Sequence, residues 1–141
     1  MSDAKALVID YLQKVWNEGE IDACEHFVAP YYDVHHDPGD PWDGQTLTRE
    51  EFKQRVRVSR APFPDQQFTV TAAIEEANTV AVAWRWKGTF LSDMPGFTAT
   101  GAEVQTSGIT IYHTDGSHIS GHVQAVDRLS VYQQIRKSEA P

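Results

Sequence analysis

An α+β fold, with helices ahead of a meander of antiparallel strands, is predicted by three observations. Apolar residues recur at three- and four-residue spacing from Leu7 to about Arg60. Beyond Pro64 the period changes to two. Clusters of Gly, Pro, Asn and Asp separate the periodic runs, and helical runs followed by alternating ones place the two kinds of element in separate layers.

Taken in order, Leu7, Val8, Tyr11, Leu12, Val15 and Trp16 form one apolar stripe, closed by Asn17-Glu18-Gly19 with glycine near the C-cap. A short second helix over 21–28 turns Ile21, Cys24, Phe27 and Val28 inward before Pro30 ends it. Tyr31 to His36 reads as a short extended piece. The run Asp-Pro-Gly-Asp-Pro-Trp-Asp-Gly from Asp37 to Gly44 is turn chemistry throughout and predicts a loop, with Trp42 folding back as a lid. Thr48-Arg-Glu-Glu51 fits a capping box, so a third helix is expected over 49–60, with Phe52 and Val56 one turn apart. Phe68, Val70, Ala72 and Ile74 then alternate with smaller residues, as do Val80, Val82, Trp84 and Trp86, and Glu75-Glu-Ala-Asn78 joins them as a hairpin. Leu91 to Gly96 breaks the pattern. A strand over 103–113 follows, then an Asp115-Gly116 turn, then a terminal strand read as far as Ile135.

Composition narrows the function. The chain has 141 residues, 40% of them hydrophobic, which suits one domain with a real core: residues 1–135, with 136–141 as a polar tail that frays. Twenty acidic against twelve basic side chains give a net charge of −8, which disfavours nucleic acid and anionic membrane as partners. No stretch approaches the length of a membrane span and no basic segment precedes an apolar run, so a cytoplasmic protein is expected. Cys24 is the only cysteine, which excludes an internal disulfide and a multi-thiolate zinc site.

The last alternating run carries the most chemistry. In it an imidazole, an amide and a carboxylate fall at His122, Gln124 and Asp127. Strict alternation puts His122, Gln124 and Val126 on one face and Val123, Ala125 and Asp127 on the other, so a bulge would be needed to bring His122 and Asp127 together. His122 is a candidate general base, because imidazole titrates near neutrality. His35-His36-Asp37 offers nitrogen and oxygen donors, yet neighbouring strand residues face opposite ways, so no metal site is predicted and one of the two histidines is expected to face the interior. Trp42, Trp84, Trp86, Met94 and Phe97 belong to an aromatic-rich set suited to a flat apolar ligand. No phosphate-cradling Gly loop, nucleophile elbow or Cys/His dyad is present.

Several of these segments resemble the SnoaL-like polyketide cyclases of the nuclear-transport-factor-2-like superfamily. They are Phe63-Pro-Asp65, Val80-Ala-Val-Ala-Trp84 with Gly88-Thr89, Gly108-Ile-Thr-Ile-Tyr112, and Ile119 to Gln134 with its Asp127-Arg-Leu and Gln133-Gln. The resemblance implies a cystatin-like cone: a strongly curved antiparallel sheet around a pocket, covered by the three N-terminal helices. It departs from the family at His122-Val-Gln124, where many relatives carry Glu-x-Trp and the cyclases a catalytic Asp at the position of Gln124. Gln exchanges no proton at neutral pH.

On this reading the protein binds a hydrophobic small molecule and is a cofactor-free cyclase or isomerase moving a proton next to a carbonyl of a polyketide-like substrate. His122 is the expected base, with Asp127, His36 or Tyr32 polarising or orienting the substrate, and with Trp42, Trp84, Trp86, Met94, Phe97 and Gln124 lining its site. The alternatives are a non-catalytic ligand-binding or regulatory module, and a hydratase or dehydratase. Ala81, Ala83, Thr69 and Thr71 leave one sheet face small and weakly polar, which predicts a homodimer through that face.

Overall fold

In a computed structural model of the chain, which describes residues 3–139, the elements run in the order α1 (Asp3–Tyr11), a π-helical turn (Leu12–Asn17), a 3-10 turn (Ile21–Ala23) leading into α2 (Cys24–Phe27), β1 (Val28–His36), β2 (Thr46–Thr48), α3 (Arg49–Arg60), β3 (Gln67–Glu76), β4 (Thr79–Thr89), β5 (Glu103–Thr114), β6 (Ile119–Val126) and α4 (Arg128–Ser138). The strands form one sheet in the order β2-β1-β6-β5-β4-β3. All neighbours are antiparallel except β1 and β6, which run parallel because the helix, the loop and the whole β3–β5 meander lie between them. No helix among the described residues is long and apolar enough to cross a membrane.

The core lies between the concave sheet face and the helices. Val8, Tyr11, Leu12 and Val15 come from the first helix, Phe52 and Val56 from α3, and Val80, Val82, Trp84 and Tyr112 from the sheet, all buried. The predicted stripe on the first helix is therefore its buried face, but its last turn winds wider than an α-helix. The Glu18 amide donates to the Gln13 carbonyl at 2.9 Å and Trp16 Nε1 donates to the Tyr11 hydroxyl at 2.7 Å, both five residues back. That widening turns Asn17 inward, where its side chain donates to the Phe68 carbonyl (3.0 Å) and accepts from the Phe68 amide (2.7 Å). The start of β3 is thus docked onto the helix end. Cys24 is fully buried and burial pushes its thiol up to about 11, so it packs rather than reacts.

The α3 capping box forms as the sequence predicts. Thr48 Oγ1 accepts from the Glu51 amide, and the Glu51 carboxylate accepts from the Thr48 amide. Two predicted elements need correction. The second helix is shorter than expected, because the chain is already extended from Val28, with Pro30 inside β1. The terminal strand stops at Val126, and the remaining run is α4, not a strand and a frayed tail. Val131 and Ile135 are one helical turn apart, Ile135 is fully buried, and Arg136 to Ser138 are helical; Ala140 and Pro141 lie outside the described residues. A β-branched, alternating sequence was outweighed there by an N-cap at Asp127 and an i, i+4 apolar pair.

Candidate functional site

The cavity occupies about 660 Å³ between the concave sheet face, the first helix, α3 and two loops. Its open part is apolar. Trp42 from the loop after β1, Met94 and Phe97 from the loop after β4, Trp86 from β4 and Tyr132 from α4 line it. All four tryptophans of the chain, Trp16, Trp42, Trp84 and Trp86, stand in its wall. The Phe97 ring stacks on Tyr132 at 5.2 Å and carries the Arg136 guanidinium 4.2 Å above it, so this loop is held against α4 by two ring contacts.

The cavity floor is polar, and Asp37 lies buried behind it as the common partner of the lining residues His122, Gln124, Arg55 and Arg128. Along the parallel β1–β6 pair Val34 stands beside His122 and His36 beside Val123, so β1 spends two steps where β6 spends one. This bulge carries His36 to the outer sheet face, where it borders a shallow groove with Ile109, Ile111 and Val123, and it turns the following Asp37 inward. Asp37 is fully buried and its carboxylate receives four donors. Oδ2 accepts from His122 Nε2 at 2.8 Å, Gln124 Nε2 at 3.2 Å and Arg55 Nη2 at 3.4 Å; Oδ1 accepts from Arg128 Nη2 at 2.9 Å and from Gln124 Nε2 at 3.3 Å. Burial raises the carboxyl pKa, but the His122 hydrogen bond and the Arg128 charge outweigh it and hold the pKa below the usual carboxylate range.

An ionised Asp37 only accepts, which fixes the tautomer of His122. Nε2 carries the proton donated to Asp37, and Nδ1 accepts from the Tyr32 hydroxyl at 2.6 Å. Burial lowers the imidazole pKa more than Asp37 restores it, and Arg55 lowers it further, so the ring is neutral. Burial likewise raises the Tyr32 hydroxyl well above its ordinary pKa, so it stays protonated. A second chain of bonds orients Gln124. Trp84 Nε1 donates to Thr110 Oγ1 at 2.9 Å and that hydroxyl donates to Gln124 Oε1 at 2.7 Å, leaving the amide nitrogen for Asp37. Trp84 reaches Thr110 across Gly108, where a Cβ would stand 2.6 Å from the indole. With Arg55 and Arg128 against Asp37 and Asp40, the formal charges of the floor cancel.

The structure brings His122, Gln124 and Tyr32 together and places Trp42, Trp84, Trp86, Met94 and Phe97 around them. It does not bring Asp127 or His36 there. No bulge interrupts β6 between Gln124 and Val126, and the β5–β6 register is regular from Gly108 opposite Val126 to Tyr112 opposite His122. Alternation therefore keeps Asp127 out of the cavity; it is exposed and its Oδ1 accepts from the Ser130 amide at 3.0 Å as the N-cap of α4. The bulge that matters lies in β1, and the carboxylate beside His122 is Asp37. Asp37, Arg55, Thr110 and Arg128 were not found from the sequence. Three left a trace without the role: Asp37 in the His35-His36-Asp37 donor run, Arg128 in Asp127-Arg-Leu, and Arg55, three residues after Phe52 and one before Val56, as a charge on the apolar face of α3. Among the described residues no group of three or more His, Cys, Asp or Glu side chains could hold a metal ion.

The fold is that of a curved sheet covered by helices around a cavity, and known proteins share it. Residues 6–135 match the family model for SnoaL-like polyketide cyclases, and the chain belongs to that family. It is similar to a protein named as a polyketide cyclase from Acidithiobacillus ferrooxidans, with 43% identity over 96% of this chain and 95% of that one and a TM-score of 0.92. Two more distant structures share the fold. IdmH from Streptomyces antibioticus, also named as a polyketide cyclase, is 19% identical over 95% and 99% of the two chains, with a TM-score of 0.79. A SnoaL-like protein from Jannaschia sp. CCS1 is 18% identical over 100% and 98%, with a TM-score of 0.78. No curated protein sequence matches the chain.

Proposed function

We propose that the protein is a cofactor-free cyclase or isomerase that moves a proton next to a carbonyl of a hydrophobic, polyketide-like substrate held in the aromatic cavity. One observation carries the reading: the buried Tyr32–His122–Asp37 array at the cavity floor. A phenol hydroxyl both donates and accepts. As the Tyr32 oxygen takes a substrate proton, its own proton passes to His122 Nδ1, and the imidazolium formed is held by the Asp37 carboxylate. His122 is thus the proton acceptor, Tyr32 its relay and Asp37 its orienting counter-charge. Gln124, with its amide committed at both ends, positions Asp37 and exchanges no proton.

A second reading, a non-catalytic ligand-binding module, is favoured by the packing of the same floor. Tyr32 and Asp37 are 0% exposed and His122 2%, and both ring nitrogens already have partners. Deuterium exchange at the enolisable positions of β-tetralone, followed by NMR in heavy water, separates the two. The enzyme accelerates exchange over buffer, and His122→Gln and Tyr32→Phe each reduce the acceleration by about a hundredfold or more. No acceleration by the parent protein makes it a binding module.

The homodimer belongs to the proposal as well. On the convex face Ala81, Ala83, Thr69 and Thr71 adjoin Ile109, Ile111 and Ile74, which are 55%, 37% and 69% exposed. A second sheet laid over this face would cover them. Sedimentation at micromolar concentration is expected to give twice the chain mass; a single monomer species refutes it.

A further inference from the structure

One corner of the cavity floor holds hydrogen-bond donors without acceptors. Arg55 is 5% exposed and reaches in from α3, with its guanidinium 5.6 Å from the Trp16 ring centre and 5.8 Å from that of Phe52. Among the described residues only Nη2 finds acceptors, Asp40 at 2.9 Å and Asp37 at 3.4 Å. Nε is buried with no partner, and among the described residues nothing accepts from Nη1. Tyr11, 1% exposed, is in the same corner: its oxygen accepts from Trp16 Nε1 at 2.7 Å, and no acceptor among the described residues takes its own proton. Buried donors are rarely left unsatisfied, because each costs the hydrogen bond it had with water.

We infer that Arg55, with the Tyr11 hydroxyl, is the docking point for a carbonyl oxygen of the cavity's ligand. The inference deepens the proposed function in one respect, placing the carbonyl at α3 instead of on the His122 array, and it does not depend on the relay itself. The formal charges of the floor already cancel, and Asp40 holds the same guanidinium. A full carboxylate would therefore leave the floor with a net negative charge beside Asp40, whereas a neutral ketone oxygen keeps the balance and meets only donors. Negative charge that develops on that oxygen during enolisation is met by a fixed cation inside a water-poor wall. The ring system of the ligand is then directed over Trp16 and towards the aromatic rim.

The four cavity tryptophans make their emission a probe of occupancy. Titration with β-tetralone, with tetralin and with tetralin-β-carboxylate is expected to show the ketone binding about tenfold tighter than the hydrocarbon, and tighter than the carboxylate. Arg55→Lys keeps the charge facing Asp40 but lacks the Nε donor and the planar fork, and should bring the ketone-to-hydrocarbon ratio close to one. Should that variant fail to fold, the Arg55 Nε–H resonance of the parent protein decides: it shifts with β-tetralone and not with tetralin. Equal affinities for ketone and hydrocarbon, a ratio unchanged in Arg55→Lys, preference for the carboxylate, or an unmoved Nε–H signal each overturn the inference. Deuterium exchange on the same ketone keeps the two ideas apart. A ketone preference without exchange removes the relay and leaves the docking point; exchange without a preference does the reverse.

Discussion

Asp37 and Asp127 stand at matching places in the chain, each the first residue after a strand that flanks the cavity, and they end in opposite environments. Asp37 follows β1 across a bulge and is driven inward, where it is fully buried and receives four donors. Asp127 follows β6, whose register with β5 is regular from His122 to Val126, and stays outside as a helix cap. One extra residue in a ladder thus decides which carboxylate becomes the charged centre of the floor and which is a local stop signal. The segments that follow differ accordingly. After Asp37 the loop closes on itself, the Asp37 amide donating to Asp43 Oδ1 at 2.7 Å, and is strapped by Arg128, which donates to the Pro38 carbonyl. At Gly39, with φ of +93°, a Cβ would stand 2.8 Å from the Arg128 side chain, so the strap needs glycine there. After Asp127 the chain simply enters α4.

The sharpest way to break this contrast is Asp37→Asn. The change is nearly isosteric, but it leaves Arg55 and Arg128 facing an uncharged amide in a buried site. A loss of about 3–5 kcal/mol in denaturant unfolding is expected, together with loss of any ketone exchange. A loss below about 1 kcal/mol would mean that Asp37 is not the centre of the floor.

The same buried groups set a pH dependence of stability. His122 has its pKa lowered on folding, so below the unfolded value, about 6.5, the unfolded chain takes up a proton that the folded one refuses. Stability therefore falls as pH drops from about 6.5 towards the lower folded value. Asp37 is also lowered, so its contribution is present above the unfolded value of about 3.9 and is lost as pH falls through its folded value. Two successive declines are expected on acidification, and His122→Gln should abolish the upper one and reduce the lower, of which the Arg128 contribution remains. Thermal melts at a series of pH values read both.

How far the sequence reaches is seen in these same residues. Periodicity located the first helix, α3 and the three long strands, because each is a regularly spaced run with a marked end, although the β3 alternation holds only to Val70: a bulge before Ala72 turns Ala72 and Ile74 to the outer face. Alternation placed His122 and Gln124 on one face of β6. It could not find Asp37, since a bulge depends on the register between two strands that lie more than eighty residues apart in sequence. The Asp-Pro-Gly run signalled only a turn, and the partner of a buried histidine is chosen by tertiary contact. The final helix was missed for a related reason: its β-branched and aromatic residues read as strand until packing of Ile135 against Phe63, Phe90 and Val104 is known. The aromatic rim was legible because its large apolar side chains sit in segments rich in Pro and Gly, where a core role is hard to build.

Trp42 tests the loop that follows Asp37 without touching the charged floor. It is half-buried at the cavity wall, and the loop's own bonds run through Asp37, Asp40 and Asp43 and not through the indole side chain. Trp42→Ala should weaken β-tetralone binding by about fivefold to tenfold, the loss of one aromatic contact, with a melting temperature nearly unchanged. A large drop in melting temperature with unaltered affinity would make Trp42 part of the core.

The smallest effect is expected at Asp127, and its pattern is what separates it from Asp37. An N-cap needs a side-chain oxygen that accepts from the amides of the first turn, and here Oδ1 takes the Ser130 amide. Alanine removes that acceptor, so Asp127→Ala should cost about 1 kcal/mol of stability. Asparagine keeps an oxygen in the same place, so Asp127→Asn should cost a few tenths of a kcal/mol at most. Neither change should alter ketone exchange, because the carboxylate lies outside the cavity and the α4 strap is made by Arg128, whose partners are Asp37 and Pro38. The same Asp-to-Asn exchange is therefore nearly silent after β6 and severe after β1. If Asp127→Asn instead removed turnover by orders of magnitude while Asp37→Asn left it intact, the register of β6 and the assignment of the floor would both have to be reversed.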